Sequence, residues 1–257
     1  MKNTLREKLI NGEKPIGMFI GSGSATVVEC LSRTGLDFVV IDNEHSPIEA
    51  ETSMELIRAA ELGGLCPLAR VREISRPAVL KLLDVGARGL IVPNVQSVDD
   101  VKKLISFAKF APVGDQGFCP TRKDGWGFDT AETVRSLMAR LNAETLLIPQ
   151  CETMGALNAI EEIVSLTGVD GIFVGPYDLS IAMGLPGQFD HPDFTAAVDR
   201  IVKASHDAGK FCLFFGGTPQ AVTAGFQRGF DGMAYSIDTL LLIKSVKADV
   251  DAIRKTM

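Results

Sequence analysis

Short apolar runs rich in Val, Ile, Leu and Phe recur along the chain, each bounded by Gly, Pro or Asp and each followed by a longer amphipathic stretch. Such runs, with little polar alternation, are the pattern of parallel strands buried on both faces. Eight stand out: Ile16 to Ile20, Phe38 to Asp42, Cys66 to Arg70, Gly89 to Asn94, Thr145 to Gln150, Gly171 to Gly175, Phe211 to Phe215 and Gly232 to Ser236. Between them, Ala50 to Leu62, Arg76 to Asp84, Val98 to Lys109, Thr130 to Leu141, Met154 to Leu166 and Phe194 to Ala208 place apolar residues three and four apart, the spacing of helices with one buried face. Eight βα units in 257 residues predict an α/β chain folded as a single (β/α)8 (TIM) barrel domain over 1–257. A doubly wound dinucleotide-binding sheet is disfavoured, because Gly21-Ser22-Gly23-Ser24 after the first run lacks the third glycine of G-x-G-x-x-G and has Thr26 there.

The stretch from Val95 to Glu144 is too long for one crossover. Its middle, Pro112 to Gly127, is dense in Gly and Pro and carries the single Trp, Trp126; it reads either as a mobile loop over the active site or as an ordered subunit contact.

Composition narrows the function classes. With 26 Lys+Arg against 32 Asp+Glu and a net charge of −6, no basic stripe marks a nucleic-acid surface. The Lys-, Glu- and Arg-rich N-terminus is unlike a signal peptide, and no apolar run approaches a membrane span, so no membrane partner is expected. The five cysteines are scattered and never form C-x-x-C, which indicates neither a disulfide framework nor a thiolate zinc site and fits a reducing, cytoplasmic compartment.

Barrel enzymes build their sites at the C-terminal ends of the strands. There the chain places Asp42-Asn43-Glu44-His45, Arg70, Gln150-Cys151-Glu152 and Gly175-Pro176-Tyr177-Asp178. Glu152 and Asp178 offer hard oxygen ligands suited to Mg2+ or Mn2+, although both could instead cap the helices that follow. His45, with Asp42 and Glu44 nearby, is a candidate general acid/base, whereas His191 and His206 read as surface or capping residues. Arg70 could bind a carboxylate or a developing oxyanion through its planar fork, or pair structurally with a barrel carboxylate. No Lys ends a predicted strand, which disfavours Schiff-base chemistry.

Ile41-Asp42-Asn43-Glu44-His45, Leu83-Asp84-Val85-Gly86-Ala87, Pro149-Gln150-Cys151-Glu152-Thr153 and Phe173-Val174-Gly175-Pro176-Tyr177-Asp178-Leu179-Ser180, in this order and spacing, resemble the HpcH/HpaI aldolase family over nearly the whole chain. That resemblance implies a class II pyruvate aldolase, which cleaves a 4-hydroxy-2-oxo acid reversibly to pyruvate and an aldehyde through a metal-bound enolate. It implies a divalent cation (Mg2+, Mn2+ or Co2+) on Glu152 and Asp178, Arg70 on the keto or aldol oxygen, and His45 as acid/base residue acting through water. By the same resemblance, Asp42 and Asp84 would support His45, Asp84 from a neighbouring subunit. Gln150 would line the metal pocket, and amides near Gly175 and Pro176 would receive the carboxylate. The resemblance further implies a homo-oligomer, a hexamer built as a trimer of dimers, with the C-terminal helix exchanged between subunits. Its partners would be a small 2-oxo acid and an aldehyde, with Arg122 and Lys123 as candidates for a distal carboxylate.

The chain departs from the family's P-x-G-x-R-G at Pro112 to Gly117, where Gln116 replaces the arginine, so loop geometry and substrate choice are open there. Rival readings are oxaloacetate decarboxylation or CoA-thioester lyase chemistry on the same groups, a metal-free isomerase using Gly216-Gly217 as a phosphate turn, and a non-catalytic oxo-acid-binding protein.

Overall fold

The computed structural model describes residues 2–128 and 133–257. In chain order its elements are α1 (Thr4–Ile10), β1 (Ile16–Ile20), α2 (Ala25–Leu31), β2 (Phe38–Asp42), α3 (Ala50–Leu62), β3 (Cys66–Arg70), α4 (Arg76–Asp84), β4 (Gly89–Val92), α5 (Val98–Ala108), α6 (Val134–Glu144), β5 (Leu146–Cys151), α7 (Met154–Asn158), α8 (Ile160–Ser165), β6 (Gly171–Val174), α9 (Pro176–Ala182), α10 (Pro192–Asp207), β7 (Phe211–Gly216), α11 (Pro219–Arg228), β8 (Gly232–Ile237) and α12 (Asp238–Lys255). The eight strands are parallel and close into a ring in sequence order, the (β/α)8 barrel that the spacing of apolar runs predicts.

Each predicted strand is present, and the differences lie at the ends. β4 stops at Val92 because Pro93 and Asn94 leave the sheet, Asn94 with φ +54°. The helix expected over Met154 to Leu166 is broken at Ala159, whose φ −105° and ψ 16° are not helical. Of the helix expected from Thr130 to Leu141, residues 130–132 fall outside the described residues; α6 starts at Val134, where the Thr133 side chain accepts the N–H of Ser136. The long connection holds a tight 3-10 turn, Arg122–Gly127, with Gly125 and Trp126 both at positive φ. No described helix is long and apolar enough to cross a membrane.

Strand alternation sorts the core into two shells. Val39, Ile41, Ala69, Leu90, Leu147, Ile172 and Cys212 face outward into the layer shared with the helices. Phe38, Val40, Cys66, Leu68, Ile91, Leu146, Ile148, Phe173 and Leu213 fill the barrel interior. Gly17 makes room for this filling, since a Cβ there would lie 2.3 Å from the Phe38 ring. Leu5 and Leu9 of α1 join the interior shell, and Asn3 donates to the carbonyls of Arg88 and Glu144 at 2.8 and 2.7 Å. The end where the strands begin is thereby plugged, and the opposite mouth is left for chemistry.

Candidate active site

Continuing the two-residue alternation one step past the apolar filling brings the next inward positions to the mouth. On β2 and β3 these are Asp42 and Arg70, which the register sets side by side. On β5 it is Gln150, followed two residues later by Glu152. A cavity of about 130 Å³ sits at this level, lined by Phe19, Arg70, Gln150, Phe173, Gly175, Pro176, Tyr177, Asp178, Phe215 and Ile237.

The polar side of the mouth is tightly organised. Arg70 Nε and Nη2 donate to the two oxygens of Asp42 at 2.9 and 2.7 Å, a bidentate pair, while Nη1 lies 3.1 Å from Glu44 Oε2. The guanidinium also stacks 4.9 Å from the Phe19 ring centroid. Burial alone would raise the Asp42 carboxyl, but the Arg70 ion pair and two backbone N–H donors outweigh it and hold the group below its ordinary value. Glu44 moves the other way: burial raises it, and the charges of Asp42 and Asp178 add to the rise despite Arg70 and His45.

His45 extends from the loop after β2 with its side chain 66% exposed, and its Nε2 lies 3.6 Å from Glu44 Oε2. Asp42 does not meet the imidazole as the resemblance suggests. Its side chain is committed to Arg70, and it accepts the backbone N–H of Glu44 and of His45 at 3.1 and 3.3 Å, which fixes the loop rather than the ring. Glu44, which the sequence names with Asp42 as a carboxylate near His45, is the one beside the imidazole.

Glu152 is buried at the end of β5. Its Oε1 accepts the backbone N–H of Asn94 at 2.7 Å, and its Oε2 accepts Gln150 Nε2. Burial pushes its carboxyl up to about 7, with Asp178 and Glu44 contributing and Arg70 opposing. Gln150 Oε1 is buried and has no partner. Gly175 is required beside this pair, because a Cβ there would lie 2.6 Å from Glu152 Oε2 and 2.7 Å from Gln150 Nε2. Pro176 lines the cavity but has no N–H, so of the two residues only Gly175 has an amide hydrogen to offer. Asp178, in the first turn of α9, is exposed and faces the same cavity.

The remaining sequence candidates lie elsewhere in the chain. Asp84 ends α4, at the plugged end of the barrel, and accepts Lys123 Nζ at 2.7 Å. Arg122 pairs with Glu61, which also binds Arg88. Neither Arg122 nor Lys123 reaches the mouth of its own barrel. Gln116 packs near Leu83, Ala87, Phe110 and Leu141 at the same far end, with its Nε2 buried and unpartnered. The substitution of the family arginine is therefore a packing change at the plugged end, not a lost cation in this chain's own cavity.

The model of the HpcH/HpaI aldolase/citrate lyase family matches residues 15–245. The chain belongs to this family. It is 29% identical over 243 residues to the 2-keto-3-deoxy-L-rhamnonate aldolase of Escherichia coli O157:H7, an alignment covering 94% of this chain and 89% of the relative. Among solved structures it is similar to an HpcH/HpaI aldolase from Desulfitobacterium hafniense DCB-2, with TM-score 0.90, 26% identity and 97% and 96% of the two chains covered. It is similar also to the citrate synthase SbnG, with TM-score 0.89, 27% identity and 99% of each chain covered. Membership makes the protein a carbon–carbon lyase of the aldolase type.

Proposed function

We propose that this family member is a divalent-metal-dependent class II aldolase that reversibly cleaves a 4-hydroxy-2-oxo acid to pyruvate and an aldehyde. The observation that carries the reading is the buried Glu152 carboxylate, with Asp178 and Glu44 adding negative charge and a single guanidinium that Asp42 and Glu44 already engage. That surplus of negative charge fits a cation. The donors are all oxygen, which suits Mg2+ or Mn2+ and admits Co2+, and the unpartnered Gln150 Oε1 adds a further acceptor beside them. Among the described residues no group of three or more His, Cys, Asp or Glu forms a complete cage. Glu152 and Asp178 would therefore hold the ion with water and substrate as its other ligands. When bound, the cation would polarise the carboxylate and ketone oxygens of the 2-oxo acid and stabilise the negative charge left as the C3–C4 bond breaks.

The chain's own residues supply the rest. Arg70 keeps an N–H on each of Nη1 and Nη2 to donate to the keto oxygen, and Asp42 holds the guanidinium in its plane. His45 removes the proton from the C4 hydroxyl in cleavage and returns it in condensation, with Glu44 stabilising the charged ring. Gly175 provides an amide and the space in which Glu152 and Gln150 lie together.

The test is pyruvate release from 4-hydroxy-2-oxo acids by chelator-stripped protein before and after Mg2+, Mn2+ or Co2+. Restoration by metal in the native chain and none in Glu152→Ala is expected; metal-independent turnover would remove the reading. The likeness to a citrate synthase supports a second reading, in which the same groups decarboxylate oxaloacetate or cleave a CoA thioester. Loss of CO2 from oxaloacetate faster than any aldol cleavage would select it.

We also propose a reducing, cytoplasmic compartment, which five cysteines that are free in the structure suit. The working form we propose is the hexamer with α12 exchanged that the family resemblance implies. Leu242, Ile243, Val246 and Ile253 of that helix are all more than half exposed in the single chain, an apolar face for another copy to cover. Asp84 could then serve a His45 only across a subunit boundary.

A further inference from the structure

A second recess opens at the opposite, plugged end of the barrel, among α1, the last turn of α6 and the turns that enter β6 and β7. It is open to solvent and encloses about 580 Å³. Three cations, Arg6, Lys109 and Lys210, line it, and among the described residues of its lining Asp170 is the one carboxylate. All three converge on two consecutive residues just before β6. Arg6 Nη1 donates to Asp170 Oδ1 at 3.1 Å, Lys109 Nζ to Asp170 Oδ2 at 2.9 Å, and Lys210 Nζ to the Val169 carbonyl at 2.7 Å.

These three charges do not share one task. Lys109 is buried, and its three N–H groups go to Asp170 and to the carbonyls of Asn142 and Thr145 at and just after the end of α6. That single ammonium balances Asp170, whose Oδ2 also accepts the Leu147 N–H at 2.9 Å. Arg6 and Lys210 are therefore two positive charges in excess, and neither has another carboxylate partner among the described residues. Both are half-buried, and both keep donors: Arg6 uses one of its five side-chain N–H groups and Lys210 one of its three. The surplus is felt inside the cluster. Burial lowers the Lys109 pKa most, and the charges of Arg6 and Lys210 lower it further against Asp170. An oxyanion in the recess would take up the spare donors and offset this repulsion.

We propose that this recess binds a small polyanion whose phosphate or carboxylate oxygens bridge Arg6 and Lys210. The planar fork of Arg6 supplies paired donors, and Lys210 supplies a compact charge. The site lies at the far end of the barrel from Arg70 and Glu152, so its ligand is an effector of the fold and not a substrate. Bound there, it ties α1, the plug of the barrel, to the entry of β7 and stabilises the folded chain. The proposal does not depend on the aldolase reading.

Titration calorimetry and thermal unfolding test it on the full-length, chelator-stripped protein in its native assembly, with inorganic phosphate, pyrophosphate and citrate at an ionic strength held constant with chloride. One saturable site per chain is expected, and a hundredfold excess over Kd should raise the unfolding midpoint by roughly 5–10 °C. Lys210→Gln keeps a donor for the Val169 carbonyl but removes the charge. It should weaken binding about tenfold, the scale of one charge-assisted contact, while its midpoint without anion stays near the native value. Arg6→Lys, which keeps the charge and the Asp170 pair but loses the fork, should bind between the two. Tighter binding of pyrophosphate than of citrate assigns the site to a phosphorylated ligand, and the reverse order assigns it to a carboxylic acid. Binding that Lys210→Gln leaves unchanged lies elsewhere on the protein and overturns the proposal, as does the absence of saturable binding by all three anions.

Discussion

The backbone N–H of Asn94 donates to Oε1 of Glu152 at 2.7 Å, and Asn94 makes that bond from a left-handed conformation with φ +54°. Asn tolerates this region better than most residues, and here its Oδ1 is also held by Gln96 Nε2 at 2.6 Å. The turn after β4 is thereby what aims a main-chain donor at the buried carboxylate.

Replacing Asn94 separates the backbone from the side chain. Asn94→Gly should keep the turn and most of the activity. Asn94→Val should cost about 1–3 kcal/mol in urea unfolding, because a β-branched residue is strained at positive φ, and should lower kcat as Glu152 loses its donor. Equal effects of the two substitutions would refute a role for the conformation.

Gly175→Ala adds a methyl group where Glu152 Oε2 and Gln150 Nε2 already lie. Gly175 has an ordinary φ of −91°, so the backbone accepts alanine and the collision falls on the functional pair. Displacing a reacting group by about an ångström lowers rates by roughly 100-fold, so kcat/KM should fall by that order while the unfolding midpoint moves little.

Asp42 and Arg70 are both nearly buried, with side chains 8% and 11% exposed. Asp42→Asn leaves the guanidinium with Glu44 alone and should destabilise the fold by about 3 kcal/mol, the lower end for a broken buried pair. The carboxyl is held below its ordinary value in the folded state, so its contribution is complete above an unfolded-state value near ~3.9 and is lost as pH falls through the folded value. Denaturation curves should thus show the variant's deficit at neutral pH and its disappearance toward strong acid; a deficit independent of pH would count against the ion pair as its source.

His45→Gln offers the opposite profile. The ring is mostly exposed and its removal uncovers no core, so thermal stability should stay within about 0.5 kcal/mol of the native value. Aldol cleavage should drop by about 10²–10⁴, the range for a lost general base. Retained activity would transfer the proton step to another group.

Lys109 marks where charge serves the fold alone. It is buried near the start of β5, its ammonium donating to the carbonyls of Asn142 and Thr145 and to Asp170, and burial lowers its pKa despite Asp170. Lys109→Met leaves Asp170 with Arg6 and should destabilise by about 3 kcal/mol, with kcat/KM per folded molecule unchanged.

The sequence by itself determined the ring of strands and the identity of the charged residues at its mouth. Eight apolar runs bounded by Gly, Pro and Asp are local signals, and a strand that must be buried on both faces cannot hide its composition. Asp42, Arg70, Gln150 and Glu152 were legible for the same reason: each is a polar interruption at the end of such a run. Tertiary structure decided which charge meets which. Register set Asp42 against Arg70, the loop after β2 put Glu44 between Arg70 and His45, and helix direction carried Asp84, Arg122 and Lys123 to the opposite end of the barrel. The apolar half of the cavity was also invisible along the chain. Phe19, Phe173, Phe215 and Ile237 look like ordinary core residues in their own strands, and they come to line one cavity only when closure of the ring brings β6, β7, β8 and β1 to one side of it.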